Sequence, residues 1–148
     1  MTYANDVPTA TDTALASSLR LAVMRLARRM RQQRSDSSLT LSQIAALATL
    51  ERHGPLTPGE LAAHEKVQPP SMTRLVAALE AAGLATRAPH PTDRRQVLVA
   101  AAPEGLALLR EDRRRRDVWL AQRLRDLPPE DLEVLGRAAT VLDRLASA

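Results

Sequence analysis

Residues 57–83 read Thr57-Pro-Gly-Glu-Leu-Ala-Ala-His-Glu-Lys-Val-Gln-Pro-Pro-Ser-Met-Thr-Arg-Leu-Val-Ala-Ala-Leu-Glu-Ala-Ala-Gly83, two helix starts separated by a short link. Thr57-Pro-Gly-Glu60 has the form of a capping box with Pro at the first helical position, so it opens a short helix over about 58–65 that buries Leu61 and Ala62. Lys66-Val67-Gln68 is a tight connection. Pro69-Pro70 then opens a second helix, where missing N–H groups cost little. It runs to about Ala82 with Met72, Leu75, Val76 and Leu79 inward, and Gly83 ends it.

Working outward, Leu84-Ala-Thr-Arg87 leads into a Pro-punctuated tip, Ala88-Pro-His-Pro-Thr-Asp-Arg-Arg95, and Gln96–Ala102 follows as a Val-rich apolar run. Two short segments around a polar tip predict a hairpin. Upstream, Thr40-Leu-Ser-Gln43 is another capping box, and the helix behind it carries Ile44, Leu47, Ala48 and Leu50 before stopping at His53-Gly54-Pro55. Further upstream, Leu15, Leu19, Ala22, Val23, Leu26 and Met30 recur at helical spacing from about Thr13 to Arg34, with Met1–Asp12 as a loose arm and a polar break at 35–39. Downstream, Pro103-Glu-Gly105 starts a long helix to about Arg125, and Leu127-Pro-Pro-Glu-Asp131 separates it from a last helix with Leu132, Leu135, Ala139, Leu142 and Leu145. The expected fold is mainly α with a small β-hairpin wing. Two short helices on a tight link followed by a hairpin is the layout of a winged helix-turn-helix.

Composition agrees with packed helices. The chain has 148 residues, 45% hydrophobic, but only 1% aromatic, so Leu, Ala, Val and Met must build the core. Net charge is +4, and the positive charge is almost all Arg, with Lys66 the only lysine. Arg keeps its charge at neutral pH and offers a planar fork that matches phosphates and guanine edges. The absence of Cys excludes disulfides, Cys-based zinc sites and thiol redox sensing. No apolar run approaches the ~20 residues of a membrane span and no signal pattern opens the chain, so a cytoplasmic protein is expected.

The chemistry-bearing residues fall on two elements. The second helix of a helix-turn-helix presents its N-terminal residues to the major groove, here Gln68, Ser71, Thr73 and Arg74, with Met72 read as core. Gln pairs with adenine, Arg with guanine, and Ser or Thr with a base or a phosphate. For Ser71 and Thr73 a plain capping role stands beside that reading. Arg74 has no acidic residue three or four positions away. The hairpin tip places Arg94 and Arg95 side by side, a cationic finger suited to a narrow minor groove, and Asp93 is placed to align an arginine by a charge-assisted hydrogen bond. A solvated turn with an incidental ion pair is the plain alternative. His53, His64 and Glu65 fit no ligand spacing and lie on different elements, so no metal is expected, and no cofactor. No catalytic triad, P-loop or dinucleotide fingerprint occurs, so the chain is not expected to be an enzyme.

These residues carry a resemblance to the MarR family of bacterial regulators over about residues 13–146. It rests on Leu39-Thr-Leu-Ser-Gln-Ile-Ala-Ala-Leu47, Leu56-Thr-Pro-Gly-Glu-Leu-Ala62, Ser71-Met-Thr-Arg-Leu-Val76, Leu79-Glu-Ala-Ala-Gly-Leu84, and Asp93-Arg-Arg95 through Pro103-Glu-Gly105. The resemblance implies a homodimer: arm 1–12, dimerisation helix 13–38, winged helix-turn-helix 39–102 and dimerisation helices 103–148. It implies a nucleoid-associated repressor of pseudo-palindromic double-stranded DNA, released by a small anionic or aromatic effector. It assigns the minor-groove arginine to Arg95, the orienting role to Asp93 and the bracing of the wing to Arg87. This chain departs from the family in having His90 where an acid is frequent, and Ala102 where Thr usually caps the next helix. Arg113–Arg116 cannot share one helix face. They read as a solvated surface with pairs Glu111–Arg115 and Asp112–Arg116, or, more sharply, Arg113 and Arg116 face a cleft that attracts the effector. Trp119 reads as core or dimer interface. The rival function is a winged-helix module for protein contacts without DNA binding.

Overall fold

The computed structural model describes residues 8–34 and 39–148. The first seven residues of the expected arm, and residues 35–38 of the expected polar break, lie outside the described residues. The elements run α1 (Ala10–Arg31), α2 (Leu41–His53), α3 (Pro58–Glu65), α4 (Pro69–Ala81), β1 (Ala85–Pro89), β2 (Val97–Ala101), α5 (Pro103–Leu124) and α6 (Pro129–Ala146). They form two compact units, one of residues 35–115 and one of residues 1–34 with 116–148.

The first unit holds the core. Leu47, Leu61, Met72, Val76, Leu79 and Val99 are fully buried and join α2, α3, α4 and β2, while Leu109 brings in the start of α5. The strands pair antiparallel from Ala85↔Ala101 to Pro89↔Val97, and β2 is held on its other side by Leu56, which exchanges both backbone hydrogen bonds with Val99 at 2.9 and 2.7 Å. That bridge gives the hairpin a third, one-residue strand, a feature without a sequence pattern of its own.

Local chemistry explains the boundaries. At Thr40 both bonds of the capping box form: Gln43 N–H donates to the Thr40 hydroxyl at 3.2 Å and Thr40 N–H to Gln43 Oε1 at 2.8 Å. At Thr57 only half of the expected box forms. The hydroxyl accepts from Glu60 N–H, but the Glu60 carboxylate accepts from the Thr57 hydroxyl rather than from the backbone N–H. Helix α1 begins three residues before the expected Thr13. Thr9 and Asp12 make a complete capping box there, and an apolar period that first registers at Leu15 does not reveal it. Lys66, the C-cap of α3, sits in the left-handed region at φ 53°. Ala102 is buried; its N–H donates to the Leu84 carbonyl and its carbonyl accepts from Leu106, so the backbone rather than a Thr hydroxyl anchors the start of α5. Gly105 follows in that first turn. A Cβ there would stand 2.3 Å from the Leu84 carbonyl oxygen.

In the second unit, α1 and α6 bury no residue. Leu15, Leu19, Val23 and Leu26 on α1 are exposed, as are Leu132, Val134, Leu135, Val141 and Leu145 on α6. Trp119 is buried, with the Arg123 guanidinium 4.1 Å above its ring. Among the described residues no helix is long and apolar enough to cross a membrane.

Candidate nucleic-acid interface

Both groups of residues singled out for DNA lie in the unit formed by 35–115. The α3–α4 turn is closed by the left-handed Lys66 and a hydrogen bond from Val67 N–H to the Ala62 carbonyl at 3.1 Å. It delivers Gln68 as the N-cap of α4 in an extended conformation. Gln68 makes no side-chain cap hydrogen bond and is exposed, so its amide is uncommitted. Pro69 and Pro70 lack N–H groups and Met72 N–H is already bonded to Gln68 O, which leaves Ser71 N–H as the donor at this helix end. The N-terminus therefore offers a phosphate one backbone donor, not a full turn of them. Ser71 is exposed; Thr73 is exposed too, but its hydroxyl donates to the Pro69 carbonyl at 3.0 Å and keeps only accepting capacity. Arg74 is exposed and no ion pair involves it among the described residues.

The wing tip is more ordered than its Pro-rich sequence indicates. His90 Nδ1 accepts from the backbone N–H groups of Thr92 at 3.2 Å and Asp93 at 3.1 Å, which requires a lone pair on that nitrogen. The loop is closed by His90 N–H to Gln96 O at 3.2 Å and Gln96 N–H to Asp93 O at 3.1 Å. Asp93 Oδ1 accepts from Arg95 N–H at 3.0 Å and stands 3.5 Å from Arg95 Nε. The Arg95 side chain is 93% exposed, so Asp93 aligns it without covering it. Arg94 is also exposed. Arg87, on β1, turns back to α4 and its Nε donates to Glu80. This ion pair ties the wing to the last turn of the helix that Gln68 caps and whose second turn carries Arg74. No local sequence signal marks Glu80, because the pair closes only when β1 folds back past Gly83.

The arginines proposed for an effector divide. Arg113 forms a two-pronged contact with Glu51 of α2, Nη1 to Oε1 at 3.1 Å and Nη2 to Oε2 at 2.7 Å. The guanidinium hydrogen bonds hold the Glu51 carboxyl below its ordinary range, against a smaller opposing effect of burial. Beside the pair lies a mainly apolar recess of about 250 Å³ lined by Leu50, Glu51, Pro55, Ala101 and Leu106 among others. Arg116 is half-buried in the next turn. Glu111 takes both Arg114 and Arg115 at 2.9 and 3.0 Å, and chiefly the Arg114 hydrogen bonds bring its carboxyl down to about 2. His53 and His64 do meet, with ring centroids 4.3 Å apart in a stack, although they lie on different helices. Stacked rings present parallel rather than convergent nitrogens, and no group of three His, Cys, Asp or Glu able to hold a metal occurs among the described residues.

Comparison with known proteins places this geometry in a family. The MarR family model matches residues 39–97, which span the helix-turn-helix and most of the wing. The HTH-type transcriptional regulator Mb0904 of Mycobacterium bovis is 48% identical over 131 residues, covering 88% of this chain and 92% of its own. The HTH-type transcriptional repressor NicR of Pseudomonas putida is 36% identical over 91 residues, 62% of this chain and 58% of its own. The crystal structure of a putative transcriptional regulator from Pseudomonas aeruginosa PA01 superimposes with a TM-score of 0.84 at 33% identity, covering 95% of this chain and 99% of that one. With its helix-turn-helix, its hairpin and nearly the full length of the Mycobacterium bovis and Pseudomonas aeruginosa proteins in common, the chain belongs to the MarR family of winged helix-turn-helix transcriptional regulators.

Proposed function

We propose that this regulator is a homodimeric repressor that binds a pseudo-palindromic operator, with the start of α4 in each of two successive major grooves and each wing in a flanking minor groove. The observation that carries the reading is the wing tip: a fully exposed Arg95, aligned by Asp93, on a hairpin braced to the helix that bears the uncommitted Gln68 and Arg74. An exposed cation on a defined loop suits the strong negative potential of a narrow minor groove. Gln68 and Arg74 offer the donors and acceptors that read base edges, Ser71 its hydroxyl and N–H, and Thr73 an accepting oxygen. Arg94 adds a second phosphate-reaching cation, and Arg87 holds the wing in place.

The homodimer is supported by the apolar side chains that α1 and α6 leave in solvent, since a second copy would remove them from water. Half-sites then stand about one helical turn apart, ~10 bp. Repression is supported by the similarity to the transcriptional repressor NicR, and the site of action is the cytoplasm, on the nucleoid. An anionic or aromatic effector reaching Arg113 competes with the Glu51 carboxylate already bound to it, so effector binding and the α2–α5 tie are linked.

Binding-site selection from random duplexes, followed by titration at two salt concentrations, tests the reading. Arg95→Ala is expected to weaken binding to all sequences and lower the salt slope by about one unit per contact. Arg74→Ala is expected to relax preference at one position in each half-site. Wild-type protein that selects no sequence and binds duplex without salt dependence would overturn the proposal in favour of a protein-contact module.

A further inference from the structure

Helix α1 carries charge that neither the core nor the wing explains. Its residues from Thr13 to Arg31 include Arg20, Arg25, Arg28, Arg29 and Arg31 and no carboxylate. Arg25, Arg28, Arg29 and Gln32 recur at i, i+3, i+4 and i+7, which stacks them on one face, and they line an open groove of about 540 Å³. All four are exposed, and no ion pair or hydrogen bond engages the three arginine side chains among the described residues. Elsewhere the chain often sets its arginines against acids: Arg87 on Glu80, Arg113 on Glu51, Arg114 and Arg115 on Glu111, Arg137 on Glu133. On α1 like charges instead face each other one turn apart, an arrangement that weakens a helix. The helix dipole rewards cations in the last turn, where Arg28, Arg29 and Arg31 sit, but its effect fades before Arg25. At about 100° per residue, this stripe lies roughly 120° around the helix from the apolar stripe of Leu15, Leu19, Val23 and Leu26. Exposed Leu21 stands one turn before Arg25 on the arginine side, so a subunit that covers only the stripe of Leu15, Leu19, Val23 and Leu26 leaves the arginines open.

We propose that Arg25, Arg28 and Arg29 form a second, sequence-independent contact with the phosphate backbone of duplex DNA, separate from the helix-turn-helix and the wing. The inference rests on the DNA-binding reading above. A repeated array of phosphodiesters is the anion that satisfies three cations in a row without a shaped pocket, and three guanidiniums on one open face offer no selective pocket for a small ligand.

The test is a triple variant, Arg25→Gln/Arg28→Gln/Arg29→Gln, compared with wild type, with the charge-keeping Arg25→Lys/Arg28→Lys/Arg29→Lys, and with Arg95→Ala. Affinity for the selected operator and for a random duplex is measured across salt. The Gln variant is expected to lose at least about two units of slope on both duplexes, so that wild type weakens ~16-fold more than the variant between ~50 and ~200 mM salt. Base preference stays as in wild type, and the Lys variant keeps the wild-type slope. An unchanged slope in the Gln variant, with the slope still lowered by Arg95→Ala, overturns this contact and leaves the function intact. A Gln variant that is monomeric where wild type is dimeric also overturns it, since the stripe is then a subunit contact. Wild type that binds neither duplex overturns the DNA-binding reading itself.

Discussion

The wing owes its shape to one ring nitrogen. His90 Nδ1 satisfies two backbone N–H groups of the tip, the task an Asp or Asn side chain performs in an Asx turn. His90→Ala leaves both donors without that acceptor. It is expected to lower local wing stability by about 1 kcal/mol, seen as faster amide exchange at Thr92 and Asp93, while His90→Asp restores protection. Recovery of that protection by Asp would show that an acid at this position does the work of His90. Gly105 makes a second residue-scale case. Its missing Cβ lets α5 start against the Leu84 carbonyl, so Gly105→Ala is expected to cost roughly 1–3 kcal/mol through backbone displacement, measured as a lowered Tm.

Between elements, two ion pairs join neighbours in the fold, one across a tight turn and one across 62 residues. Glu80–Arg87 joins α4 to β1, and its half-exposed setting makes it a small contributor to stability. Glu80→Gln is therefore expected to leave Tm nearly unchanged and to weaken operator binding by freeing the wing, a separation that melting and gel-shift titration resolve together. Glu51–Arg113 joins α2 to α5. Because the folded Glu51 pKa lies below its ordinary value of 4.5, the pair stabilises the fold above that pH and its contribution fades as pH falls toward the depressed value. The Tm gap between wild type and Glu51→Gln is expected to be full near pH 7 and to narrow steadily below about pH 4.5. A gap independent of pH would mean that Glu51 acts through packing rather than charge.

For the whole molecule, the decisive quantity is apolar surface left in water. Leu15 on α1 and Leu145 on α6 are 66% and 62% exposed, and their helices bury nothing within the chain. In the proposed homodimer a second subunit would cover them, and helices of this kind draw most of their stability from packing an apolar face. Leu19→Glu with Leu135→Glu is expected to give monomers in analytical ultracentrifugation and to lower operator affinity ~100-fold or more, because the second half-site is no longer held at high effective concentration.

Residues 57–102 declared their fold in the primary structure, because capping residues, paired prolines, Gly83 and the spacing of Leu61, Met72, Val76 and Leu79 all act over one or two turns. The identity of the exposed groups at Gln68, Arg74 and Arg95 was legible for the same reason: each follows a local signal by a known offset. What needed the folded chain was every contact between elements. Glu80 meets Arg87 only once β1 turns back on α4, His53 stacks on His64 once α3 packs on α2, Leu56 pairs with Val99 once the hairpin returns, and Glu51 meets Arg113 once α5 packs. Periodicity states which face of an element is apolar or charged; it is closure of the chain in three dimensions that chooses the partner that face will meet.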